Sequence, residues 1–406
     1  MRLRIHHGAA QIGGNCIELA CGGKTLLLDL GLPLDSPPRL PAVSGLGEED
    51  GTLLGVVLSH PHLDHYGLLP KLRADLPVWL GRGAQRLLDA ASPFAPNSAL
   101  PQAISPYDDR MPFSVGPFTI TPFLMDHSAY DAYALLVEAE GKRLFYSGDF
   151  RGHGRKAKVF DRFIANPPAN IDVMLMEGTT IGRAEPPSTE QDVEDRAISL
   201  MRDCPSMTLA CFSGQNIDRF VTFFRASVRS GRTFVIDAYM ANLIDALAID
   251  SLPDPRTSDK LRVFLPRAQR RRIITDKRFD LIDRYKRQRI YAQELQANPH
   301  RYAMMFRTSL TGDLDGMELK EACLIYSLWP GYLERDRTDL REWARRKEID
   351  FHIVHSSGHA SGADLYRMAQ AVAPQRLLPI HTVHPERYDS LSANTEIAAN
   401  GEWVTI

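Results

Sequence analysis

A chain of 406 residues that is 44% hydrophobic can bury a large core, and its length fits two domains. Its formal charge of −2 gives no global sign of a nucleic-acid binder, so any polyanion contact must be local. Five cysteines without a C-x-x-C pair argue against both a disulfide framework and a thiolate zinc site. Cys16, Cys21, Cys204, Cys211 and Cys323 lie in or beside apolar runs and read as core residues. Met1 to His7 begins a strand directly, so no signal peptide is expected. No apolar stretch is long enough to cross a bilayer, and the expected setting is cytoplasmic, with no membrane partner.

In chain order, residues 2–7, 16–21 and 24–30 read as short strands separated by glycine turns. Asp29 ends the third, where an apolar strand gives no packing reason for a carboxylate. Residues 33–51, rich in Pro, Gly and acid, read as a loop that either flanks a site or runs over the surface. Leu53 to Leu58 reads as a buried strand, and at its end comes Ser59-His60-Pro61-His62-Leu63-Asp64-His65-Tyr66-Gly67. Three of the 13 histidines and one aspartate fall within six residues here. Imidazole with carboxylate suits zinc, or manganese where oxygen ligands dominate. Neighbours in an extended turn point to different sides, so this spacing suits two adjacent metals better than one closed tetrahedron.

Leu68 to Leu76 reads as a helix, and Pro77 to Leu80 as the next strand. A strand over 118–125 leads to Asp126-His127-Ser128, where a lone histidine by itself is more often structural than a ligand. Leu144 to Phe150 reads as a strand ending in Ser147-Gly148-Asp149, which is a turn or a metal carboxylate. Residues 172–178 repeat that pattern and end in Glu177, with a helix cap as the bland alternative. From 181 to 350 helices alternate with apolar strands, which predicts a parallel, helix-covered sheet inserted between the histidine motifs. Ser188 with Gln191 reads as a capping box. In Ser213 to Arg219, Asn216 and Arg219 are candidates either for phosphate contact or for simple capping. Residues 262–289 hold eleven basic and three acidic side chains, a solvated helix face or a phosphate track. The strand Phe351 to His355 is expected to return the chain to the first domain, leading into Ser356-Ser357-Gly358-His359. Its small residues let backbone amides approach an anion. A last strand, Arg376 to Ile380, ends in His381.

The motif from His60 to His65 resembles the metal-binding signature of the metallo-β-lactamase superfamily. Later residues resemble its β-CASP branch, the nucleases that include ribonuclease J and the endonuclease of messenger-RNA 3′-end cleavage. The resemblance runs from Gly13-Gly14-Asn15 to Ile406, with the motifs in the family's order. It implies an α/β fold: a metallo-β-lactamase αββα sandwich of residues 1–180 and 351–406, with a β-CASP α/β domain inserted at 181–350. It implies two divalent metal ions, zinc with manganese as the alternative. His60, His62 and His127 would hold one, Asp64, His65 and His381 the other, and Asp149 would bridge them. Asp29 would support the histidine loop through hydrogen bonds without being a ligand. Glu177, His359 and His381 match the three β-CASP motifs, with His359 the general acid oriented by Glu177. Ser356, Ser357 and Gly358 would contact substrate.

The implied activity is two-metal hydrolysis of single-stranded RNA. A DNA nuclease or another phosphodiesterase is the alternative, and a non-catalytic RNA-binding scaffold is disfavoured by the full ligand set. Two features depart from ribonuclease J. His381-Thr382-Val383-His384 replaces the usual His-Gly-Glu, and the chain ends at Ile406 without that enzyme's further C-terminal domain. Homo-oligomerisation and the choice of endo- or exonucleolytic attack stay open.

Overall fold

The computed structural model describes residues 1–95, 100, 104–183, 186–335, 339–392 and 394–406. They divide into two units, Met1–Pro187 with Gly358–Ile406, and Ser188–Ser357. The first unit begins with β1 (Arg2–His7), β2 (Cys16–Cys21), β3 (Lys24–Leu28), β4 (Leu53–Val57), β5 (Val78–Gly81) and β6 (Ile104–Tyr107). It continues with β7 (Phe113–Val115), β8 (Phe118–Met125), β9 (Ala132–Ala139), β10 (Lys142–Tyr146) and β11 (Val173–Glu177). The second unit holds β12 (Thr208–Cys211), β13 (Thr233–Asp237), β14 (Leu261–Phe264), β15 (Tyr302–Phe306), β16 (Cys323–Tyr326) and β17 (Asp350–Ile353). The chain then re-enters the first unit through β18 (Arg376–Ile380) and β19 (Trp403–Thr405).

Strand side chains alternate between faces, and in the first unit each face finds a different core. Leu144 and Tyr146 of β10 and Val173 and Leu175 of β11 join a core that also holds Leu19, Leu26 and Val57. Phe145, Met174 and Met176 face the other way, onto Phe160 and Phe163 of helix Ala157–Ala165 and Leu365 and Met368 of helix Gly362–Val372. The first core therefore lies between two sheets, ordered β19-β1-β2-β3-β4-β5-β6 and β18-β11-β10-β9-β8-β7. Helix Arg82–Ala91 packs by β5 and β6 and buries Ala84, Leu87, Leu88 and Ala91. The layers run helix, sheet, sheet, helix, the expected αββα sandwich.

All six strands of the second unit are parallel, in the order β14-β13-β15-β12-β16-β17. Parallel pairing needs crossovers, and helices such as Ile217–Arg229 and Ala238–Leu247 supply them. This is the α/β insert that the alternation of strand and helix predicts.

Three local expectations differ from the structure. The stretch Leu68–Leu76 forms only a 3-10 turn, Leu69–Lys71, with a helix instead at Leu63–Tyr66 inside the histidine motif. Pro77, just past the stretch, disfavours helical backbone at the residue before it and so limits how far a helix could run. The capping box before helix Glu190–Asp203 is Thr189 with Asp192, one residue on from the expected pair. The strand at 350–353 pairs with β16 in the second unit's sheet and does not open the return to the first. An apolar run identifies a strand but not its partner.

Candidate metal centre

Every residue of the centre follows a strand end. Ser59 and His60 leave β4, and His62 caps the short helix that carries Asp64 and His65. His127 follows β8, Asp149 follows β10 and His381 follows β18. Gly148 lets the chain turn before Asp149: its φ is +53°, and a Cβ there would lie 2.6 Å from the Tyr133 carbonyl oxygen. Asp29 and His381 take similar left-handed angles, φ 58° and 54°, without being glycine. Such strain costs roughly 1–3 kcal/mol at each residue and persists where surrounding contacts over-determine it.

The carboxylate of Asp149 is the hub. Its Oδ2 lies 3.2 Å from His65 Nε2, 3.7 Å from His60 Nε2, 3.7 Å from His381 Nε2 and 4.0 Å from His127 Nε2. His359 Nδ1 approaches the same oxygen at 3.6 Å. Asp64 Oδ2 faces His381 Nε2 at 3.8 Å and His65 Nε2 at 4.0 Å, while His62 Nδ1 meets His127 Nε2 at 3.1 Å. These positions make overlapping sets of potential ligands: His60, His62 and His127; His60, His65 and Asp149; Asp64, His65 and His381; Asp149, His359 and His381.

The donor set fits divalent metal ions. The Nε2 atoms of His60, His65 and His381 and both Asp149 oxygens are buried and make no hydrogen bond among the described residues. Leaving a buried polar group without a partner costs roughly 1–3 kcal/mol, so their convergence calls for cations. Protonation states agree. Burial and neighbouring imidazoles push His60 and His127 well below the usual histidine range, and burial takes His62 down to about 4. Burial lowers His381 as well. Those four rings are neutral near pH 7, with lone pairs to offer. Burial opposes ionisation of Asp149, but the surrounding histidines outweigh it and hold the carboxyl well below its usual range. His65 is different: burial lowers it, but Asp149, Asp29 and Asp64 outweigh that and hold its proton tightly.

Asp29, fully buried, lies behind the loop. It accepts Ser59 N–H at 2.6 Å, Ser59 Oγ–H at 2.7 Å and His65 Nδ1–H at 2.7 Å. Glu177 Oε1 lies 3.3 Å from His359 Nδ1, and the carboxylate also accepts the amides of Phe150, Thr179 and Ala360. Burial lowers the His359 imidazolium, but Glu177 and Asp149 outweigh it, so the protein's own charges hold it at about 9.

The residues expected to touch substrate divide. Gly358 belongs to this unit, where its carbonyl accepts His127 Nδ1–H at 2.5 Å and a Cβ would sit 2.3 Å from Ser128 Oγ. Arg219 corrects the expectation of a phosphate contact. It is 1% exposed, clamps Glu190 through Nε and Nη2 at 3.1 and 2.9 Å, and donates to the Ser327 carbonyl at 2.7 Å. Ser356 is likewise buried, its hydroxyl donating to the Ser188 carbonyl at 2.6 Å. Asn216 caps helix Ile217–Arg229 by accepting Arg219 N–H at 2.9 Å. Ser357 is half-buried. Sequence reasoning passed over Ser59, Asn15 and Tyr146, which lie directly behind the ligands. Asn15 follows two glycines, a pattern that marks the turn but not the residue's distant partners.

The model of the β-lactamase superfamily domain matches residues 27–209. The chain resembles the metallo-β-lactamase superfamily and, within it, the ribonuclease J-like members. It is 22% identical to a ribonuclease J of Sinorhizobium meliloti over 375 residues, covering 88% of this chain and 63% of that protein. With ribonuclease J 2 of Streptococcus pyogenes it is 20% identical, covering 96% of this chain and 70% of the other. It spans only 34% of the Corynebacterium glutamicum ribonuclease J, at 23% identity. A crystal structure of a protein of unknown function from Enterococcus faecalis V583 shares the fold, with a TM-score of 0.78, 21% identity and coverage of 100% and 99% of the two chains.

Proposed function

We propose that this protein is a metal-dependent hydrolase that cleaves phosphodiester bonds of single-stranded RNA, in the manner of a ribonuclease J-like processing or decay enzyme. The observation that carries the reading is Asp149 Oδ2, met by five imidazole nitrogens at 3.2–4.0 Å. His60, His62 and His127 would hold one ion, Asp64, His65 and His381 a second, with Asp149 shared. A nitrogen and oxygen donor set without thiolate favours zinc, with manganese the alternative. When bound, the ions supply positive charge for the attacked phosphate and acidify water.

The chain's own residues supply the rest. Hydrolysis joins a water oxygen to phosphorus and breaks the bond to the 3′-oxygen, leaving a 5′-phosphate and a 3′-hydroxyl. The departing oxygen needs a proton, and His359 is the group to deliver it. Glu177 orients its ring and favours the charged form. RNA as substrate also makes the cytoplasm the expected setting. The relatives named ribonuclease J support the choice of RNA over DNA.

The test is direct. Metal-loaded protein incubated with 5′-labelled and 3′-labelled single strands should shorten RNA far faster than DNA of the same sequence and leave 5′-phosphate ends. Chelation should abolish cleavage. Full activity in a metal-stripped sample kept in chelator, or equal cleavage of DNA, would reject the reading.

A further inference from the structure

Asp29 is the sink of a hydrogen-bond tree whose branches end on three of the imidazoles. Four donors converge on its carboxylate. Besides Ser59 N–H, Ser59 Oγ–H and His65 Nδ1–H, the Tyr146 hydroxyl donates to Oδ2 at 2.7 Å. Each donor's proton is thereby committed, and the commitments propagate. Ser59 Oγ, having given its hydrogen to Asp29, can only accept from His60 Nδ1, 3.0 Å away. Tyr146, having given its hydrogen, can only accept, and the group it meets is Asn15 Nδ2 at 3.1 Å. That sets the Asn15 amide, so Oδ1 faces His381 Nδ1 at 2.9 Å and His381 must carry its proton there. Gly13 N–H also approaches His381 Nδ1, at 3.4 Å, but a protonated ring nitrogen cannot accept and the shorter contact governs.

The tree makes an assignment that can be compared with an independent observation. For neutral rings it leaves the lone pair on Nε2 of His60, His65 and His381, so at His65 a bound cation would take the place of the Nε2 proton. Those three Nε2 atoms are the ones that are buried and make no hydrogen bond among the described residues. Asn15 and Tyr146 are fully buried.

We infer that Asp29, Ser59, Tyr146 and Asn15 form one donor–acceptor tree that fixes the tautomers of His60, His65 and His381, with Tyr146 and Asn15 the positioning residues for His381. The inference rests on the metal reading but assigns residues beyond it. His65 and His381, both proposed to hold the second ion, are tied to each other through Asp29, Tyr146 and Asn15. His60 hangs from the same carboxylate through Ser59, whereas His127 is oriented separately by the Gly358 carbonyl. Removing the Tyr146 hydroxyl frees the Asn15 amide to flip and His381 to exchange tautomers, without touching His62 or His127. Outer hydrogen-bond partners of metal-bound histidines are worth about 10- to 100-fold in affinity. The loss should fall on one ion and not the other.

Zinc titration of the stripped protein against a chromogenic chelator tests this without reference to activity. The unaltered protein should bind two equivalents. Tyr146→Phe should weaken one of them about 10- to 100-fold and shift the other less than about threefold, and Asn15→Leu should do the same. Tyr107→Phe is the comparator, because Tyr107 lies in the same buried core and donates to the Leu58 carbonyl at 2.5 Å, outside the tree. It should change neither equivalent. Long-range 15N NMR of the zinc-loaded, histidine-labelled protein should find the ring proton of His60, His65 and His381 on Nδ1. Equal weakening of both equivalents by Tyr146→Phe and Tyr107→Phe, no weakening by Tyr146→Phe, or a proton on Nε2 of any of the three rings would overturn the inference. Failure of the unaltered protein to bind two equivalents would instead strike the metal reading itself, and the inference with it.

Discussion

His359 differs in exposure from four of the histidines around it, and shares partial exposure with His62. The side chains of His60, His65, His127 and His381 are 0% exposed, whereas that of His359 is 22% exposed. A proton donor needs access to substrate, and a ligand does not. His359→Ala should therefore keep both metal equivalents and lose turnover by roughly 10²–10⁴-fold, the range for a missing general acid. An activated aryl phosphodiester, whose leaving group needs little protonation, should be hydrolysed much more evenly by the two proteins. Loss of a metal equivalent would make His359 a ligand, which its place beside Asp149 and His381 also allows geometrically. Glu177→Gln is a less clean variant, since its carboxylate also accepts three backbone amides and an NH2 group would oppose one of them. Arg219 presents the opposite case, a cation that burial removes from function. Its pair with Glu190 is desolvated on both sides, with exposures of 1% and 2%. Truncating one partner of such a pair strands the other and costs roughly 3–5 kcal/mol. Arg219→Ala should lower the melting temperature sharply, and removing Glu190 as well should recover part of the loss. An unchanged melting temperature would show that the pair contributes nothing.

At the scale of elements, β1 and β2 are joined by more than their backbone ladder. Arg4 and Glu18 stand opposite in the register, with Arg4 Nη2 2.6 Å and His6 Nε2 2.8 Å from Glu18 Oε2. Burial opposes ionisation of Glu18, but the hydrogen bonds from His6 and Arg4 and the nearby charge outweigh it, leaving the carboxyl below its ordinary value. A carboxyl whose folded pKa is lowered adds stability that is complete above its unfolded pKa of about 4.3 and is lost as pH falls through the folded value. The melting-temperature gap between the unaltered protein and Glu18→Gln should thus be constant from pH 7 to about pH 5 and close below about pH 4. A gap that persists at pH 3 would assign the effect to packing. The same scale shows what was legible in the chain. His60 to His65 could be read because several metal-binding groups fall within one strand end. Asn15 and Tyr146 could not, because the contacts that give them meaning join residues 131 and 366 positions apart, and a tyrosine in an apolar strand looks like core. Arg219 looked available because a cation after a glycine turn has the same spelling whether it faces solvent or a buried glutamate. The strand at 350–353 was visible, but its partner was not, since periodicity carries no information about which edge a strand joins.

For the molecule as a whole, the near-neutral charge conceals an uneven distribution, and the structure shows which cations are free to act. Among the eleven basic residues of 262–289, Arg272 faces Asp276 at 3.5 Å, Arg278 faces Asp280 at 2.9 Å and Arg284 faces Asp245 at 3.0 Å. Arg270, Arg271, Lys277, Lys286 and Arg287 are exposed and make no ion pair among the described residues. On helix Arg267–Thr275 only Ile273 is buried, so the helix is anchored along one narrow line and turns most of its charge to solvent. A single-stranded RNA that follows this surface would release counterions in proportion to the cations it meets, with a slope of about 0.7 per contact in log affinity against log salt. Arg270→Gln with Arg271→Gln should therefore weaken RNA binding and reduce that slope by about 1.4, two contacts' worth. Arg272→Gln should change it much less, because Asp276 already occupies that guanidinium. The metal content of the double variant should be unchanged, which separates the surface from the metal centre. If both affinity and slope are unchanged in the double variant, the basic run is an ordinary solvated face and RNA is held elsewhere.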